Sequence, residues 1–274
     1  METNQVILVT GASSGIGEAI AIHLHQKGHI VYGSGRTAHG LHTSGFRFIS
    51  LNVNDSESVN NAVEYIIQKE TRLDVLINNA GIGLAGAVEE VDEESVKHIF
   101  DTNITGVYRT CKAVLPQMRR QKSGKIINIG SIAGMIGLPY RSFYSASKFA
   151  IEGFSEGLSM EVKQFGIKVV LVQPGDMKTS INQNRIEVDG GQDSPYLESF
   201  NYVRSKFSNA VDNAFEPIVI AKIIDQIIND KRPSFRYIKG SFFEYLTCFL
   251  KSTLSFRSFE KAVTSYYKMG KIRN

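Results

Sequence analysis

The chain has 274 residues, of which 42% are hydrophobic and 21% charged, and its formal net charge is +4. That length and composition are typical of a protein with one large α/β domain, and its scattered basic residues do not indicate nucleic-acid binding. Two distant cysteines and six dispersed histidines predict neither a disulfide framework nor a metal site. The sequence shows no leader of signal-peptide type and no apolar run near the ~20 residues of a membrane helix, so we expect a cytoplasmic protein.

Strand-like and helix-like segments alternate from the first residues to about residue 175. The predicted strands are apolar runs at 6–10, 30–35, 46–53, 75–78, 125–130 and 168–173. The predicted helices are 16–27, 55–69 behind the cap Asp55, a helix behind the cap Asp92, 105–121 and 143–165. This alternation predicts βαβ units, and continuous apolar strands predict helices on both faces of the sheet. With right-handed crossovers, the result is a doubly wound parallel sheet of Rossmann type in the α/β class.

The character of the sequence changes after Gly175. Residues 176–215 begin polar and Gly-rich and continue into an amphipathic stretch, which predicts a helical substrate lid. Another helix is predicted at 217–229 and a last strand at 235–238, and residues 241–274 predict an aromatic-rich helical tail. No linker or repeat divides the chain, so 1–274 is predicted to form a single domain.

The first predicted strand runs directly into the glycine-rich stretch TGASSGIG at 10–17. Gly11, Gly15 and Gly17 separate this strand from the following helix, so backbone N–H groups can approach a pyrophosphate at the helix N-terminus. A tight strand-to-helix turn is the alternative interpretation of the glycines alone. Their place in the first βα unit favours nucleotide binding.

The end of the second predicted strand indicates which dinucleotide binds. A site that prefers NAD usually has Asp or Glu there, whereas this chain has Tyr32-Gly33-Ser34-Gly35-Arg36. Arg36 can pair with a 2′-phosphate, and the Ser13 and Ser14 hydroxyls can add hydrogen bonds. NADP(H) is therefore favoured over NAD(H). An ordinary surface position for Arg36 is the alternative.

The stretch YSASK places Tyr144 and Lys148 four residues apart, on one face of the predicted helix. A Lys ammonium stabilises a nearby phenolate, so this pair has the components of a tunable proton donor. A Tyr and a Lys at this spacing are also common on helix surfaces, and the pair alone does not establish catalysis.

Six motifs together identify a family resemblance: TGASSGIG, NNAG at 78–81, Asn103, GSIAG at 130–134, YSASK, and Pro174-Gly175 with Thr179. In this order the chain resembles the short-chain dehydrogenases/reductases from residue 5 to about 180. Its layout with an aromatic tail is similar to the branch of 17β-hydroxysteroid and retinol dehydrogenases.

The resemblance implies catalytic roles for four residues. Tyr144 would be the general acid/base, Lys148 its partner, Ser131 the group that holds the substrate oxygen, and Asn103 the support of a water-mediated proton path. It also implies a cofactor site formed by Gly11, Ser13, Ser14, Gly15, Ile16, Gly17, Arg36, Asn52, Val53, Asn79, Ala80, Gly81, Tyr144, Lys148, Pro174, Gly175 and Thr179.

Two positions depart from the family pattern. Asn52 replaces the Asp that often bonds the adenine amino group. The segment 37–45 has no helical periodicity where the family usually has a helix, so a more open adenosine pocket is expected.

The predicted function is an NADP(H)-dependent oxidoreductase that interconverts a ketone and a secondary alcohol on a small apolar substrate, steroid-, retinoid- or fatty-acyl-like. The apolar substrate wall is predicted from Met135, Ile136, Leu138, Pro139, Phe143, Met177, Ile181, Tyr196, Phe200, Tyr202, Val203 and Phe207. One alternative is a 3-oxoacyl carrier-protein reductase, for which Arg141 and Lys178 could bind a phosphate. Another is a non-catalytic NADPH sensor.

The family pairs through two helices, here 105–121 and 143–165, which implies a homodimer. The tail is expected to cap the substrate cleft. The alternative for the tail is contact with a membrane surface through its aromatic and basic residues.

Overall fold

The computed structural model describes residues 4–37, 40–179, 185–212 and 214–269. The strands, in chain order, are β1 (Val6–Val9), β2 (Ile30–Gly35), β3 (Gly40–Leu41), β4 (Arg47–Ser50), β5 (Val75–Asn78), β6 (Leu84–Gly86), β7 (Gly124–Ile129), β8 (Ile167–Pro174), β9 (Ile186–Val188) and β10 (Arg236–Lys239). The α-helices are α1 (Gly15–Gln26), α2 (Ser56–Glu70), α3 (Glu93–Phe100), α4 (Gly106–Gln121), α5 (Ser142–Val162), α6 (Leu197–Asp212), α7 (Ile218–Asn229), α8 (Phe242–Thr253) and α9 (Phe256–Tyr266).

The main sheet has eight strands in the order β10-β8-β7-β5-β1-β2-β4-β3. Seven of them are parallel, and only the short edge strand β3 runs antiparallel to its neighbour. The strand order reverses between β1 and β5, so the carboxyl ends of these two strands border the crevice where ligands bind in open α/β sheets. The predicted doubly wound fold is confirmed.

Helices cover both faces of the sheet because successive strand residues point to opposite sides. In β1, Val6 and Leu8 pack into the core beneath α2, α4 and α5, whereas Ile7 and Val9 pack into the core beneath α1 and α7. All four are at most 1% exposed, which explains why this strand reads as a continuous apolar run.

The two predicted helix caps are present. The Asp55 side chain accepts a hydrogen bond from the backbone N–H of Glu57 at 2.9 Å, and Asp92 accepts one from Ser95 at 2.7 Å. Each carboxylate satisfies an N–H group that the first helical turn leaves unpaired.

A small second sheet was not predicted. β6 pairs in parallel with β9, and Leu84 lies opposite Ile186. Both strands have only three residues, too few for their periodicity to distinguish them from a loop. This pairing attaches the lid segment to the body of the protein.

The tail packs on the domain through few apolar residues. Cys248 and Leu250 of α8 and Phe259 of α9 contact Ile132 and Ile136, which directly follow the predicted catalytic Ser131. Among the described residues, no helix has the length and hydropathy needed to span a bilayer.

Candidate active site

The glycine-rich turn after β1 has a backbone that only glycine accommodates. Gly11 and Gly15 have φ values of 65° and 61°. A Cβ atom at Gly17 would lie 2.3 Å from the carbonyl oxygen of Gly11 and 2.4 Å from Nδ2 of Asn79. The turn therefore brings its backbone close to the start of α1, and this geometry fits the predicted pyrophosphate of a dinucleotide.

The segment after β5 is interlocked with this turn. The Thr10 hydroxyl oxygen accepts hydrogen bonds from the backbone N–H groups of Asn79 and Ala80, each at 3.0 Å. In return, the Asn79 side-chain amide donates to the carbonyl oxygens of Thr10 and Gly11, each at 3.0 Å. These neutral bonds fix the two sides of the crevice between β1 and β5.

The segment after β8 closes the crevice from the opposite side. A Cβ at Gly15 would lie 3.3 Å from the Thr179 side chain, so this threonine contacts the glycine-rich turn. Pro174 ends β8, and its neighbour Gly175 donates its N–H to the carbonyl oxygen of Lys239 at 2.8 Å. The predicted cofactor residues of all three segments are thus gathered at the carboxyl ends of β1, β5 and β8.

The residues predicted to bind the adenosine end lie beside the turn. A Cβ at Gly35, the last residue of β2, would be 3.5 Å from Cβ of Ser13. Arg36 follows directly and is exposed. Its guanidinium can therefore reach a ligand next to Ser13 without any loss of internal packing.

Asn52 and Val53 occupy the loop after β4. The Asn52 side chain accepts a hydrogen bond from the backbone N–H of Asn54 at 3.2 Å. The carbonyl oxygen of Val53 accepts one from Arg109 at 3.1 Å, and Val53 packs against Gly106 of α4. As expected from the sequence, the segment 37–45 contains no helix in its described part; it contains β3 and turns.

Asn103 lies in a π-helical turn, Asp101–Thr105, at the entrance of α4. Turns of this type are frequent at functional sites. Asn103 is 2% exposed, its amide oxygen accepts from the N–H of Ile82 at 2.9 Å, and its amide nitrogen donates to the Ile82 carbonyl oxygen at 3.0 Å. It therefore fixes the chain directly after the NNAG motif and does not act as a helix cap.

Tyr144 and Lys148 share one face of α5, as their spacing predicts. The Lys148 side chain is 8% exposed, and its Nζ lies 5.9 Å from the centre of the Tyr144 ring. Nζ donates to the carbonyl oxygen of Ile129 at 3.1 Å. A Cβ at Gly81 would be 3.8 Å from Nζ of Lys148 and 3.2 Å from Oδ1 of Asn103. The NNAG segment, the π-helical turn and the Lys148 ammonium therefore lie next to one another.

Ser131 begins the short 3-10 helix Ile132–Gly134 that follows β7. Its hydroxyl oxygen accepts a hydrogen bond from the N–H of Ala133 at 3.1 Å, which fixes the side chain and leaves its proton available for donation. Ser131 is thus both a cap and a candidate donor for a substrate oxygen.

Ser147 is a positioning residue that the sequence interpretation missed. Its hydroxyl accepts from the Asn103 amide at 3.0 Å and donates to the carbonyl oxygen of Tyr144 at 2.7 Å. It connects the π-helical turn to α5. The only signal for it was its small size within YSASK, which we interpreted as empty space.

Three charged residues that the motifs did not place together, Arg141, Asp176 and Arg185, form one cluster, and the two arginines of this cluster lie near Tyr144. Arg141, one turn before Tyr144, has a buried Nε with no hydrogen-bond partner, and its guanidinium stacks 3.6 Å from the centre of the Phe207 ring of the lid. Burial, followed by repulsion from Arg185, lowers the pKa of Arg141 to about 10, and the same burial lowers the pKa of Arg185. The side chains of Tyr144 and Asp176 both interact electrostatically with these two guanidinium groups.

Asp176 follows Gly175 directly and is partly buried. Its carboxylate has no hydrogen bond or ion pair among the described residues, and burial together with the nearby Glu244 raises its pKa. Glu244 comes from the tail: its carboxylate accepts from the N–H of Asp176 at 2.8 Å and from the N–H of Ser241 at 2.6 Å. The spacing S-x-x-E at 241–244 is a capping-box pattern that could have been recognised in the sequence.

The lid supplies the expected apolar wall. Met177, Phe200, Val203 and Phe207 are each at most 8% exposed and thus pack inward. Tyr196 instead donates its hydroxyl to Glu89 at 2.9 Å. Ile181, also predicted for this wall, lies outside the described residues.

Comparison with known proteins identifies consistent relatives. The family model described as short chain dehydrogenase matches residues 5–189. The chain is 45% identical to a 3-ketodihydrosphingosine reductase of Bacteroides thetaiotaomicron over 264 residues, which cover 96% of this chain and 98% of that protein. It is 32% identical to Retinol dehydrogenase 8 of Bos taurus, over 85% of this chain and 80% of that protein.

Solved structures show the same architecture. A short-chain dehydrogenase from Streptomyces avermitilis superposes with a TM-score of 0.80 at 31% identity, covering 98% of this chain and 97% of that one. A structure described as ElxO with NADP bound superposes with a TM-score of 0.71 at 27% identity, over 86% of this chain and 96% of that one.

Proposed function

The chain belongs to the short-chain dehydrogenase/reductase family, and from that premise we propose that it is an NADPH-dependent reductase of long-chain ketones that carry an ammonium group beside the carbonyl. Membership makes it an oxidoreductase that uses a nicotinamide dinucleotide and acts on carbonyl or alcohol groups. The ketone and its neighbouring ammonium are the new elements of the proposal, and 3-ketodihydrosphingosine is the compound that contains both.

The observation that carries the proposal is the unpartnered Asp176 carboxylate in the same charged cluster as Tyr144. A partly buried carboxylate that accepts no hydrogen bond costs free energy, and a cationic ligand group that donates to it would offset that cost. The 45% identity to a reductase named for 3-ketodihydrosphingosine, over nearly the whole of both chains, supports the same choice. The apolar side chains of the lid suit a long hydrocarbon chain.

The remaining charged groups fit the oxygen atoms of such a substrate. Arg141 has an unused Nε–H, which can donate to a hydroxyl or ketone oxygen. The Ser131 hydroxyl can bond the oxygen on which negative charge develops, and the Tyr144 hydroxyl can deliver the proton. Lys148, close to the Tyr144 ring, stabilises the phenolate that remains.

The bound nicotinamide would supply the hydride for the carbonyl carbon. The chain's own residues would hold and protonate the oxygen, while Asn103 and Ser147 hold the segments that carry Gly81 and Tyr144 in place. The NADP form is favoured because Arg36 and Ser13 lie together and no carboxylate ends β2. The NADP-bound relative is consistent with that preference.

The direct test uses purified protein, NADPH and 3-ketodihydrosphingosine in mixed micelles, with NADPH absorbance and mass spectrometry of the alcohol as readouts. We expect turnover, and a loss of about 10²–10⁴-fold in kcat for Tyr144→Phe. If Tyr144→Phe turns over as fast as the parent protein, the acid/base assignment is wrong.

A second candidate is a reductase of anionic 3-oxoacyl substrates, because the buried guanidinium groups of Arg141 and Arg185 form an unusually cationic pair. The two candidates can be distinguished by comparing the rates with a cationic and an anionic substrate. Preference for a 3-oxoacyl thioester over 3-ketodihydrosphingosine, with activity dependent on Arg141 and not on Asp176, would favour the anionic substrate.

We also propose a homodimer formed through α4 and α5. These helices expose Tyr108, Phe149 and Met160, at 46%, 43% and 74% of their surface, on the faces turned away from the sheet. Exposed apolar groups of this kind mark association surfaces. Sedimentation velocity should give the mass of a dimer, and Met160→Glu should shift the mass to that of a monomer.

A further inference from the structure

We propose that the outer face of α8, continued by α9, is a surface that binds the anionic face of a lipid bilayer. Four side chains of α8, namely Phe242, Phe243, Leu246 and Phe249, are exposed by 75%, 76%, 37% and 62%, and we call them the aromatic stripe. Phe256 at the start of α9 adds a fifth exposed group, at 65%. The proposed chemistry at Ser131, Tyr144 and Lys148 uses none of these five side chains.

Most of the large apolar side chains of α8 face solvent, whereas those of an ordinary surface helix face the domain. Phe242, Leu246 and Phe249 recur at intervals of four and three residues, so they form one stripe. That stripe faces solvent, whereas Cys248 and Leu250 pack on the domain and Glu244 accepts a hydrogen bond from the backbone of Asp176. A helix whose apolar side points outward requires a partner for that side, because contiguous exposed apolar surface is otherwise unfavourable.

The charge of the tail identifies the partner. Residues 241–274 contain six Lys and Arg but only two Asp and Glu, so they carry the entire formal charge of +4. The preceding 240 residues contain equal numbers of the two kinds. Eight of the 27 aromatic residues also lie in this short segment. Aromatic side chains next to basic ones are the composition of segments that lie in the interface of an anionic membrane.

The contacts of the basic residues agree with this arrangement. The Lys251 ammonium lies 5.1 Å from the centre of the exposed Phe256 ring and 5.2 Å from that of the buried Phe259, so one cation lies beside Phe256 at the junction of α8 and α9. Arg257 and Lys261 are exposed on α9. One of the two acidic groups, Glu244, is already bonded to the N–H groups of Asp176 and Ser241 and does not offset these charges at the surface.

A second copy of the chain is a less suitable partner. A twofold interface would place each tail against the same tail, because the same surface patch is used on both subunits. Like charges would then face each other, and their repulsion opposes association. A bilayer with anionic headgroups instead pairs with the basic residues and accepts the apolar side chains at once.

The position of the stripe relates it to the active site. Its first residues, Phe242 and Phe243, lie within the same capping turn as Glu244, whose carboxylate contacts the Gly175–Asp176 backbone. The described residues contain no helix able to cross the bilayer, so the geometry is that of a tail lying on the membrane and not through it. A lipid substrate could then enter the cleft from the surface on which the enzyme rests.

The experiment is co-sedimentation of the full-length protein with vesicles of phosphatidylcholine, either alone or with phosphatidylglycerol. The variant Phe242→Ser/Phe243→Ser/Phe249→Ser should weaken binding to the anionic vesicles by about 100-fold or more. Arg257→Gln/Lys261→Gln should weaken it by about 25-fold, since each basic residue near an anionic surface contributes about fivefold. Tyr65→Ser, which removes a 48% exposed aromatic on α2, is the matched control and should bind as the parent does.

A second measurement separates membrane binding from folding and from the substrate proposal. The stripe variant should keep the parent's melting temperature and its rate with a short water-soluble ketone, and should lose rate only with substrate held in vesicles. The proposal is overturned if the parent protein does not sediment with anionic vesicles or if the stripe variant still does. It is equally overturned if the stripe variant only lowers the oligomeric mass. Absence of activity on 3-ketodihydrosphingosine would leave the vesicle result unaffected.

Discussion

The crevice that fits the dinucleotide and the cleft that fits the substrate are built by opposite means. On the cofactor side, Thr10, Asn79 and Asn103 are neutral and bonded reciprocally to backbone. On the substrate side, Arg141 and Asp176 are charged, partly buried and incompletely paired. These three residues of the first region are fully bonded before any ligand arrives, whereas the second region retains charged groups that are incompletely paired, at a cost in stability.

This difference indicates where specificity is encoded. A site built from backbone contacts suits a cofactor that many enzymes share, and any enzyme that uses the same dinucleotide can retain that site. Unpaired charges suit a ligand that is particular to one enzyme, since they penalise every molecule that lacks the matching group. The predictions below alter one region at a time.

The largest effect is expected from Gly17→Ala in the crevice. The added Cβ would collide with the Gly11 carbonyl oxygen, at 2.3 Å, so the turn would have to open. We expect NADPH affinity, measured by fluorescence titration, to fall by about 100-fold or more. Gly157→Ala on α5 is the control, because its Cβ meets no heavy atom within 4 Å; it should leave affinity unchanged. Similar affinities of the two variants would show that the crevice is not rigid.

In the cleft, Asp176→Asn should lower kcat/KM for 3-ketodihydrosphingosine by about 10–100-fold, the value of a hydrogen bond to a charged group. A ketone of equal length without the amine should be reduced at the parent rate. Asp193→Asn, an exposed lid carboxylate, is the control. Equal losses on both ketones would contradict a role in binding ammonium.

The pH dependence of that reaction has a definite sign. Burial and Glu244 raise the pKa of Asp176, so the carboxylate becomes protonated at a higher pH than an ordinary Asp. Steady-state kinetics should therefore show KM for the ammonium-bearing ketone rising as the pH falls through this raised pKa. The amine-free ketone should show no such change. Because the folded state holds this proton more tightly than the unfolded state, ionised Asp176 destabilises the fold at pH 7. Asp176→Asn should then melt at the same temperature as the parent or higher.

A smaller effect is expected from Arg36→Ala at the rim of the crevice. Loss of the guanidinium beside Ser13 should lower the affinity for NADPH by about 10-fold and should hardly change the affinity for NADH, because only NADPH carries the 2′-phosphate. Isothermal titration with both dinucleotides measures the difference. Equal weakening of the two would remove the argument for NADP preference.

The smallest effect compares one helix cap from each region. Asp55→Ala and Ser241→Ala should each lower the free energy of unfolding in urea by about 1 kcal/mol. Asp55→Ala should leave kcat/KM unchanged. Ser241→Ala should lower it by about twofold to fivefold, because the Ser241 turn positions Glu244 against Asp176. Identical kinetics for the two variants would show that the tail is structurally separate from the cleft.

The cofactor side could be predicted from the sequence because its signals are local. Each of these signals can be recognised within a few residues of the sequence. They are a glycine where no Cβ fits, a capping residue two or three positions before the N–H group that it bonds, and an apolar strand. The shared helix face of Tyr144 and Lys148 was predicted for the same reason, since their spacing of four residues on one helix fixes their relative position.

The apolar wall of the lid was predicted, but the contacts among the charged residues of the substrate side were not, because those contacts are long-range. Arg141, Asp176 and Arg185 come from different segments, and Glu244 arrives from a tail 68 residues beyond Asp176. The pairing of β6 with β9 joins residues about a hundred positions apart through strands of three residues. Hydrophobic periodicity carries no information about contacts between residues so far apart in the sequence. The exposure of the Phe residues of α8 also could not be predicted, because the period of a stripe does not reveal which side of it faces the domain.

The contact between Glu244 and Gly175 has a consequence for how the enzyme matures. The backbone at Gly175–Asp176 receives its carboxylate only from a residue near the end of the chain, and domains form from the N-terminus during synthesis. The Rossmann core can therefore assemble on the ribosome well before the catalytic cleft is finished. A protease that cuts the connection between β10 and α8 would remove this carboxylate from the Gly175–Asp176 backbone and leave Tyr144 and Lys148 in the folded core, so limited proteolysis should lower turnover more than it lowers NADPH affinity.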